Sequence, residues 1–205
     1  DENGANYIFF TSGSTGKPKA VLGKHKSLSH FIHWEAKELA LDSNARIGQL
    51  TSFSFDASLR DIFLPLLKGG CICLPSKETL ENTTQFCDWL IEKRITVLHT
   101  VPTMMRSILK VNDKKVATTN YFKDLQFLLL AGEKLYGKDI LSWREKFGNN
   151  TTIINLYGAT ESTLVKTFFR LESHMQVTSA DVLSVGKPIS NTNILILNAE
   201  NNICE

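Results

Sequence analysis

A nonapeptide near the start of the chain has the residue types of a phosphate-binding loop. Thr11-Ser12-Gly13-Ser14-Thr15-Gly16-Lys17-Pro18-Lys19 follows an apolar run at residues 7–10, so the sequence predicts a strand followed by a loop. Amides freed by glycine, hydroxyl donors and two lysines suit a polyphosphate. Two residues separate Gly13 from Gly16 and Pro18 follows the lysine, so this is not the common P-loop. A generic Gly/Ser loop is more often only a polar turn.

A second group of candidate residues follows an apolar strand late in the chain. Asn155-Leu156-Tyr157-Gly158-Ala159-Thr160-Glu161 begins where the strand predicted at residues 152–156 ends. In an open α/β sheet, ligands bind outside the carboxyl ends of the strands. A lone Tyr-Gly or Thr-Glu pair would usually be an ordinary turn or an exposed acid.

Alternating strands and helices position these groups. Helices are predicted at residues 27–41 with Ser27 as N-cap, 59–68 ending at Gly69-Gly70, 84–93, from Pro102, and 138–147. Strands are predicted at residues 20–22, 71–74, 95–100, 125–130, 152–156, 163–171 and 193–197. Because the central strands are apolar on both faces, we expect an α/β fold: a mainly parallel sheet with helices on both faces and a strand-rich C-terminal end.

Composition excludes several classes of protein. The 205 residues are 42% hydrophobic, and 23 basic and 21 acidic residues are spread without the basic stripe that nucleic-acid or membrane binding needs. Cys71, Cys73, Cys87 and Cys204 show no Cys-x-x-Cys spacing, which predicts buried thiols in a reducing compartment and no zinc. We find no signal peptide and no apolar run of about 18 residues, so the cytosol is the expected location.

The motifs together resemble the adenylate-forming superfamily of acyl-CoA synthetases, luciferases and peptide-synthetase adenylation domains. The family's Thr-Ser-Gly-Ser-Thr-Gly-x-Pro-Lys loop is matched completely. Further matches follow in the family's order: Phe55-Asp56-Ala57-Ser58, Ala131-Gly132-Glu133, residues 155–161 and Gly186-Lys187-Pro188-Ile189. The family more often has proline at the position of Ala159, a change that affects turn rigidity but no donated group.

The resemblance implies a nucleotide site and its catalytic groups. Tyr157 would stack on adenine, Thr160 would contact the α-phosphate, and Glu161 would ligate Mg²⁺. Lys17 or Lys19 would neutralise growing phosphate charge together with the loop amides. The full set implied to bind the nucleotide is Thr11, Ser12, Gly13, Ser14, Thr15, Gly16, Gly132, Glu133, Lys134, Asn155, Tyr157, Gly158 and Ala159.

Asp56 distinguishes the subfamilies. In adenylation domains that activate α-amino acids, an aspartate at this position pairs with the substrate ammonium, so the chain is most similar to a nonribosomal peptide synthetase adenylation domain. Residues 56–58 could instead merely cap the following helix. The substrate side chain would meet a pocket lined by Ala57, Arg60, His99, Leu129, Ala131, Leu156, Leu164 and Val165.

Arg60 and His99 are the polar members of that pocket. A guanidinium in an otherwise apolar pocket favours a substrate side chain with a carboxylate or another acceptor. Arg60 could equally pair with Asp61 or face solvent. His99 is expected to be packed or pocket-lining and not a metal ligand, because no second ligand stands at metal spacing.

The implied reaction is ATP-dependent activation of an amino-acid carboxylate to an aminoacyl-adenylate with release of pyrophosphate. The product would load onto the phosphopantetheine thiol of a carrier-protein domain among neighbouring synthetase modules. We expect residues 1–205 to be a monomeric, partial adenylation domain, inactive alone, because the family's earlier segment, its Tyr-x-Thr-Gly-Asp segment and its C-terminal lid are not in this sequence. An acyl- or aryl-CoA synthetase, a carboxylate reductase or a non-catalytic nucleotide-binding relic remains an alternative.

Overall fold

A computed structural model describes residues 2–12, 16–111 and 121–204 of the chain. Strands β1 (Ala5–Ser12) and β2 (Pro18–Lys24) pair antiparallel as a hairpin of their own. Both were predicted, and they flank the phosphate-loop sequence. Gly13, Ser14 and Thr15 lie outside the described residues.

A seven-stranded sheet forms the centre of the described structure. Its strands are β3 (Arg46–Gly48), β4 (Cys71–Cys73), β5 (Val97–Thr100), β6 (Phe127–Leu130), β7 (Thr152–Tyr157), β8 (Thr167–Leu171) and β9 (Lys187–Pro188). They lie in the order β4-β3-β5-β6-β7-β8-β9. β4 to β7 pair parallel in that order, whereas β8 and β9 pair antiparallel. The predicted α/β fold with a mainly parallel sheet is therefore confirmed.

Helices cover both faces of this sheet. They are α1 (His25–Glu38), α2 (Ala57–Lys68), α3 (Lys77–Glu81), α4 (Thr83–Glu92), α5 (Pro102–Lys110) and α6 (Gly137–Phe147). One core cluster contains side chains of α4, α5 and α6, such as Phe86, Ile108 and Trp143. The other contains side chains of α1 and α2, such as Phe31 and Leu64. As predicted, α2 ends at Gly69, whose φ of 69° is the left-handed conformation that glycine adopts without strain.

Three sequence predictions about local structure are wrong. Ser27 is not the N-cap of α1, because the helix already begins at His25 and Lys24 is in the N-cap position. The His25 amide donates to the carbonyl of Gly4. Residues 193–197 form no strand beyond a single bridge from Leu197 to Ile203, since no described strand pairs along them. Their β-prone side chains stay exposed, with Ile196 at 69%.

The third error concerns the cysteines. Cys73 and Cys87 are buried as predicted, whereas Cys71 is only half-buried and Cys204 is exposed, because it follows the exposed C-terminal segment. All four are free thiols. Burial raises the pKa of Cys87 to about 12 and that of Cys73 to about 11. Among the described residues, no helix is long and apolar enough to cross a membrane.

Candidate functional site

A cavity of about 1130 Å³ lies at the carboxyl ends of β5, β6 and β7. Parallel strands end at one edge of a sheet, so the segments that follow them meet there. The cavity brings together most of the predicted nucleotide and substrate residues: Asp56, Ala57, Arg60, His99, Ala131, Gly132, Glu133, Lys134, Asn155, Leu156, Tyr157, Gly158, Ala159, Thr160, Leu164 and Val165.

Leu129 does not line this cavity, contrary to the prediction. It is 1% exposed and belongs to the core cluster on the α1 and α2 face. Side chains alternate along a strand, so Leu129 points to the same side of the sheet as Ala131 but lies one step deeper. Leu129 is therefore part of the core beneath the cavity.

The hairpin β1–β2 contacts the turn that follows β7. Thr11 Oγ1 donates a hydrogen bond of 3.3 Å to Glu161 Oε1, and Lys19 Nζ lies 4.0 Å from the same oxygen. Glu161 belongs to a 3₁₀ turn, Thr160–Ser162, whose first residue lines the cavity. The phosphate-loop hairpin therefore lies against the rim of the cavity. Ser12, Gly16 and Lys17 lie on the exposed part of the hairpin and do not line it.

The backbone after this 3₁₀ turn is strained. Thr163 and Leu164 have φ values of 65° and 59°, which are unfavourable for residues other than glycine. Tyr7 in β1 donates a hydrogen bond of 3.2 Å to Thr163 Oγ1. A Cβ at Gly158 would lie 1.9 Å from the carbonyl oxygen of Leu164, so the chain folds back closely on the end of β7. This turn places Leu164 and Val165 in the cavity wall.

Asp56 is the residue before the first turn of α2. Its backbone is already helical, and among the residues that the structure describes its side chain accepts no helix-cap hydrogen bond. The capping alternative is therefore wrong. The carboxylate lines the cavity, where it can interact with a ligand.

A buried charged cluster, which we call the Glu35 cluster, consists of Glu35, Arg60, Asp61 and His99. His99 Nε2 lies 3.1 Å from Glu35 Oε1, and His99 Nδ1 lies 3.1 Å from Asp61 Oδ1 without hydrogen-bond geometry. Arg60 Nε lies 3.5 Å from the same Asp61 oxygen. The cluster confirms that His99 is packed and pocket-lining, and that Arg60 faces Asp61 while also lining the cavity.

The charges of this cluster determine the protonation of His99. Burial and the Arg60 cation lower the pKa of His99, but the Glu35 and Asp61 carboxylates outweigh them, and the net effect is a raised pKa. Glu35 and Asp61 therefore favour the protonated form of His99. Sequence reasoning missed Glu35 in this role, although an acid beside Phe31 and Ile32 on the buried face of α1 was a usable signal.

Other polar residues of the cavity are held by defined partners. Glu133 Oε2 accepts hydrogen bonds of 3.0 Å from the Thr103 amide and 2.6 Å from its hydroxyl. Asn155 Nδ2 donates to the Ser184 carbonyl at 2.8 Å. The Tyr157 residue is 60% exposed, which leaves its ring free to stack on a planar ligand.

The described residues contain no group of three or more His, Cys, Asp or Glu side chains that could hold a metal ion alone. Glu161, 45% exposed in its side chain, offers one hard oxygen ligand. Mg²⁺ is commonly bound through one or two carboxylates plus substrate phosphates. The donor set therefore fits a magnesium ion that arrives with a nucleotide.

Comparison with known proteins identifies the family. The model of the family described as AMP-binding enzyme matches residues 1–205. The chain belongs to this family. The resemblance inferred from the motifs is thus confirmed.

Two curated relatives illustrate the match. Surfactin synthase subunit 2 of Bacillus subtilis (strain 168) is 32% identical over 192 residues, covering 94% of this chain and 5% of that protein. L-2-aminoadipate reductase of Schizosaccharomyces pombe is 30% identical over 204 residues, covering 96% of this chain and 14% of that protein. The AMP-binding chain thus spans a small part of the length of these relatives.

Solved structures agree on the fold of this AMP-binding chain. The Vibrio cholerae adenylation domain AlmE, in complex with glycyl-adenosine-5'-phosphate, is 27% identical with a TM-score of 0.85, covering 99% of this chain and 36% of that one. CmiS6 is 24% identical with a TM-score of 0.86, covering 100% of this chain and 46% of that one.

Proposed function

We propose that this chain provides the nucleotide- and substrate-binding core of an enzyme that activates an amino acid with ATP. The supporting observation is the arrangement of Asp56, Thr160 and Glu161. Asp56 and Thr160 line one cavity, and the adjoining Glu161 contacts Thr11 and Lys19 of the phosphate-loop hairpin. An anion for the substrate ammonium and cations for the phosphates thus lie at one site.

The reaction is a nucleophilic substitution at the α-phosphorus of ATP. A carboxylate oxygen of the substrate forms a bond to that phosphorus, the bond to the bridging oxygen breaks, and pyrophosphate leaves. Little covalent chemistry is required of the protein, so catalysis depends on positioning and on neutralising the phosphate charge.

The chain's own residues take separate parts in this reaction. Asp56 binds the ammonium and orients the carboxylate, while Tyr157 stacks on the adenine and Thr160 contacts the α-phosphate. Lys19, with Lys17 and the loop amides, stabilises negative charge. Glu161 would hold Mg²⁺, which neutralises phosphate charge when bound.

The fate of the acyl-adenylate lies beyond this cavity. We propose transfer to the phosphopantetheine thiol of a carrier-protein domain, as expected for a nonribosomal peptide synthetase. The names of the relatives include both a synthase and a reductase. Incubation of the full-length protein with ATP and labelled substrate tests this: a thioester on the carrier supports the proposal, and a released CoA ester contradicts it.

The activation step is tested by pyrophosphate exchange with the full-length protein. Each α-amino acid of a panel is compared with the matching acid that lacks the amino group. Exchange that is much faster with the amino acid than with its amine-free counterpart supports the proposal. Exchange only with acids lacking the amino group would make the enzyme an acyl- or aryl-CoA-type ligase, and no exchange at all would indicate a nucleotide-binding relic.

A further inference from the structure

Arg60 places a guanidinium beside the apolar part of the cavity. It follows Asp56 by one turn of α2, so both side chains line the same cavity. The apolar side chains that line this part of the cavity belong to one core cluster or pack against it: Ala57, Ala131, Leu156, Leu164 and Val165. A charged group in such surroundings requires a compensating partner.

Within the protein, Arg60 has an ionic partner, but its hydrogen bonding is incomplete. The Arg60 side chain is 6% exposed, and its Nε lies 3.5 Å from Asp61 Oδ1. Nε makes no hydrogen bond to any residue that the structure describes. A guanidinium carries five N–H donors in a planar fork, and its closest approach to Asp61 is made by Nε. Among the described residues, no hydrogen bond from its two terminal nitrogens is found, so they can donate to a ligand in the cavity that Arg60 lines.

Asp61 also contacts the buried imidazole of His99. His99 Nδ1 lies 3.1 Å from the Asp61 oxygen that faces Arg60. A guanidinium retained only as a structural counter-ion would be expected to fill its hydrogen bonds within the protein, because buried polar groups are rarely left unpaired. The cluster instead balances the charge of Arg60 without satisfying its donors.

We propose that the substrate of this site is an amino acid carrying a second carboxylate, which Arg60 binds while Asp56 binds the ammonium group. This inference rests on the proposed function. A carboxylate matches the guanidinium fork with two parallel hydrogen bonds. A carboxamide offers one acceptor and turns its own N–H donors toward the cation. The apolar walls contact the methylene groups between the two ends of the substrate.

Pyrophosphate exchange by the full-length protein with glutamate, aspartate, glutamine, asparagine, leucine and phenylalanine tests the inference. We expect kcat/KM for one dicarboxylic amino acid to exceed that of its amide at least about a hundredfold, because a site built for a polar group rejects the analogue that leaves it unpaired. A preference for leucine, phenylalanine or an amide would overturn the inference while leaving amino-acid activation standing. Exchange with no amino acid would instead overturn the proposed function.

Variants of Arg60 test whether this side chain is responsible. We expect Arg60→Gln to lower the acid-to-amide ratio of kcat/KM at least about tenfold. Arg60→Lys should also lower it, because an ammonium cannot form the bidentate pair. The matched control is Arg94→Gln: Arg94 is exposed and lies 3.5 Å from Asp124, so the ratio should not change.

Thermal unfolding of each variant separates specificity from folding. Damage to the fold would lower activity with the acid and with the amide alike, so the ratio reports the role of Arg60 itself. An unchanged ratio in a folded Arg60→Gln or Arg60→Lys variant would overturn the inference.

Discussion

Thr11 Oγ1 donates a 3.3 Å hydrogen bond to Glu161 Oε1 across 150 residues of sequence. The bond joins the phosphate-loop hairpin to the turn after β7, and Lys19 lies 4.0 Å from the same carboxylate oxygen. A nucleotide in the cavity would therefore meet groups from two segments that are far apart in sequence. The proposed binding of the ATP phosphates depends on this junction.

Glu161→Gln tests the carboxylate at that junction. The change keeps the size of the side chain but removes its charge, so we expect kcat for pyrophosphate exchange in the full-length protein to fall about a hundredfold. Glu81→Gln is the matched control, because Glu81 is an exposed acid that pairs with Lys77 at 3.7 Å. Equal, small effects of the two changes would show that Glu161 has no part in catalysis.

Tyr7→Phe tests the bond that supports the strained turn. Loss of the hydrogen bond to Thr163 should lower the free energy of unfolding by about 1 kcal/mol. Denaturant unfolding of the full-length protein measures this, in a cycle with Thr163→Val, which keeps the branched side chain. If the bond matters, the double variant loses less stability than the sum of the single variants; strict additivity would contradict the assignment.

Gly158→Ala tests the close approach of the turn to β7. The new Cβ would lie 1.9 Å from the Leu164 carbonyl oxygen, so backbone must shift, and we expect a loss of about 1–3 kcal/mol in unfolding free energy together with a raised KM. Gly148→Ala is the control, because alanine would be strained at the φ of 83° but nothing lies within 4 Å of the new Cβ. That variant should leave KM unchanged, and a raised KM in both would argue against a local effect.

The Glu35 cluster predicts a pH dependence of stability. His99 faces Glu35 of α1 and both Arg60 and Asp61 of α2, and its pKa in the folded protein lies above the ordinary value of 6.5. The folded state then binds the proton more tightly than the unfolded state. Its stabilising contribution is complete below pH 6.5 and is lost as the pH rises through the raised pKa.

Denaturant unfolding across pH, with and without His99→Gln, checks that dependence. The unfolding free energy of the original protein should fall with rising pH above 6.5 relative to the variant. The variant should also be less stable at low pH, because Glu35 and Asp61 lose a cationic partner. Parallel curves for the two proteins would contradict a protonated His99.

The sequence predicted the fold well because strong local patterns carried it. Apolar strands, the glycine that ends α2 and the motifs at strand ends led to the parallel sheet and to most of the cavity. Residues 193–197 had the β propensity of a strand but no pairing partner, which local pattern cannot reveal. Short elements such as β3, with three residues, were missed because they are too short to show a period.

Contacts between distant segments were also beyond sequence reasoning. The resemblance implied functions for Glu161 and Lys19 but not their distance. Glu35 could be read as an acid on a buried helix face, yet its partner His99 is 64 residues away and becomes a neighbour only through packing of α1 on β5. Leu129 was predicted to line the cavity, but it lies in the core, two residues before Ala131, which does line it. Which residue of a strand reaches the cavity depends on where the sheet ends, and the local pattern does not show this.

The most direct test of the central claim concerns Asp56 and the substrate ammonium. Pyrophosphate exchange is measured with the full-length protein and its Asp56→Ala variant, using the best amino acid and the same acid without the amino group. We predict that the change lowers kcat/KM for the amino acid at least about thirtyfold, equivalent to about 2 kcal/mol, and leaves the activity with the amine-free acid nearly unchanged. An equal effect of the change on both substrates would contradict amino-acid recognition at this site.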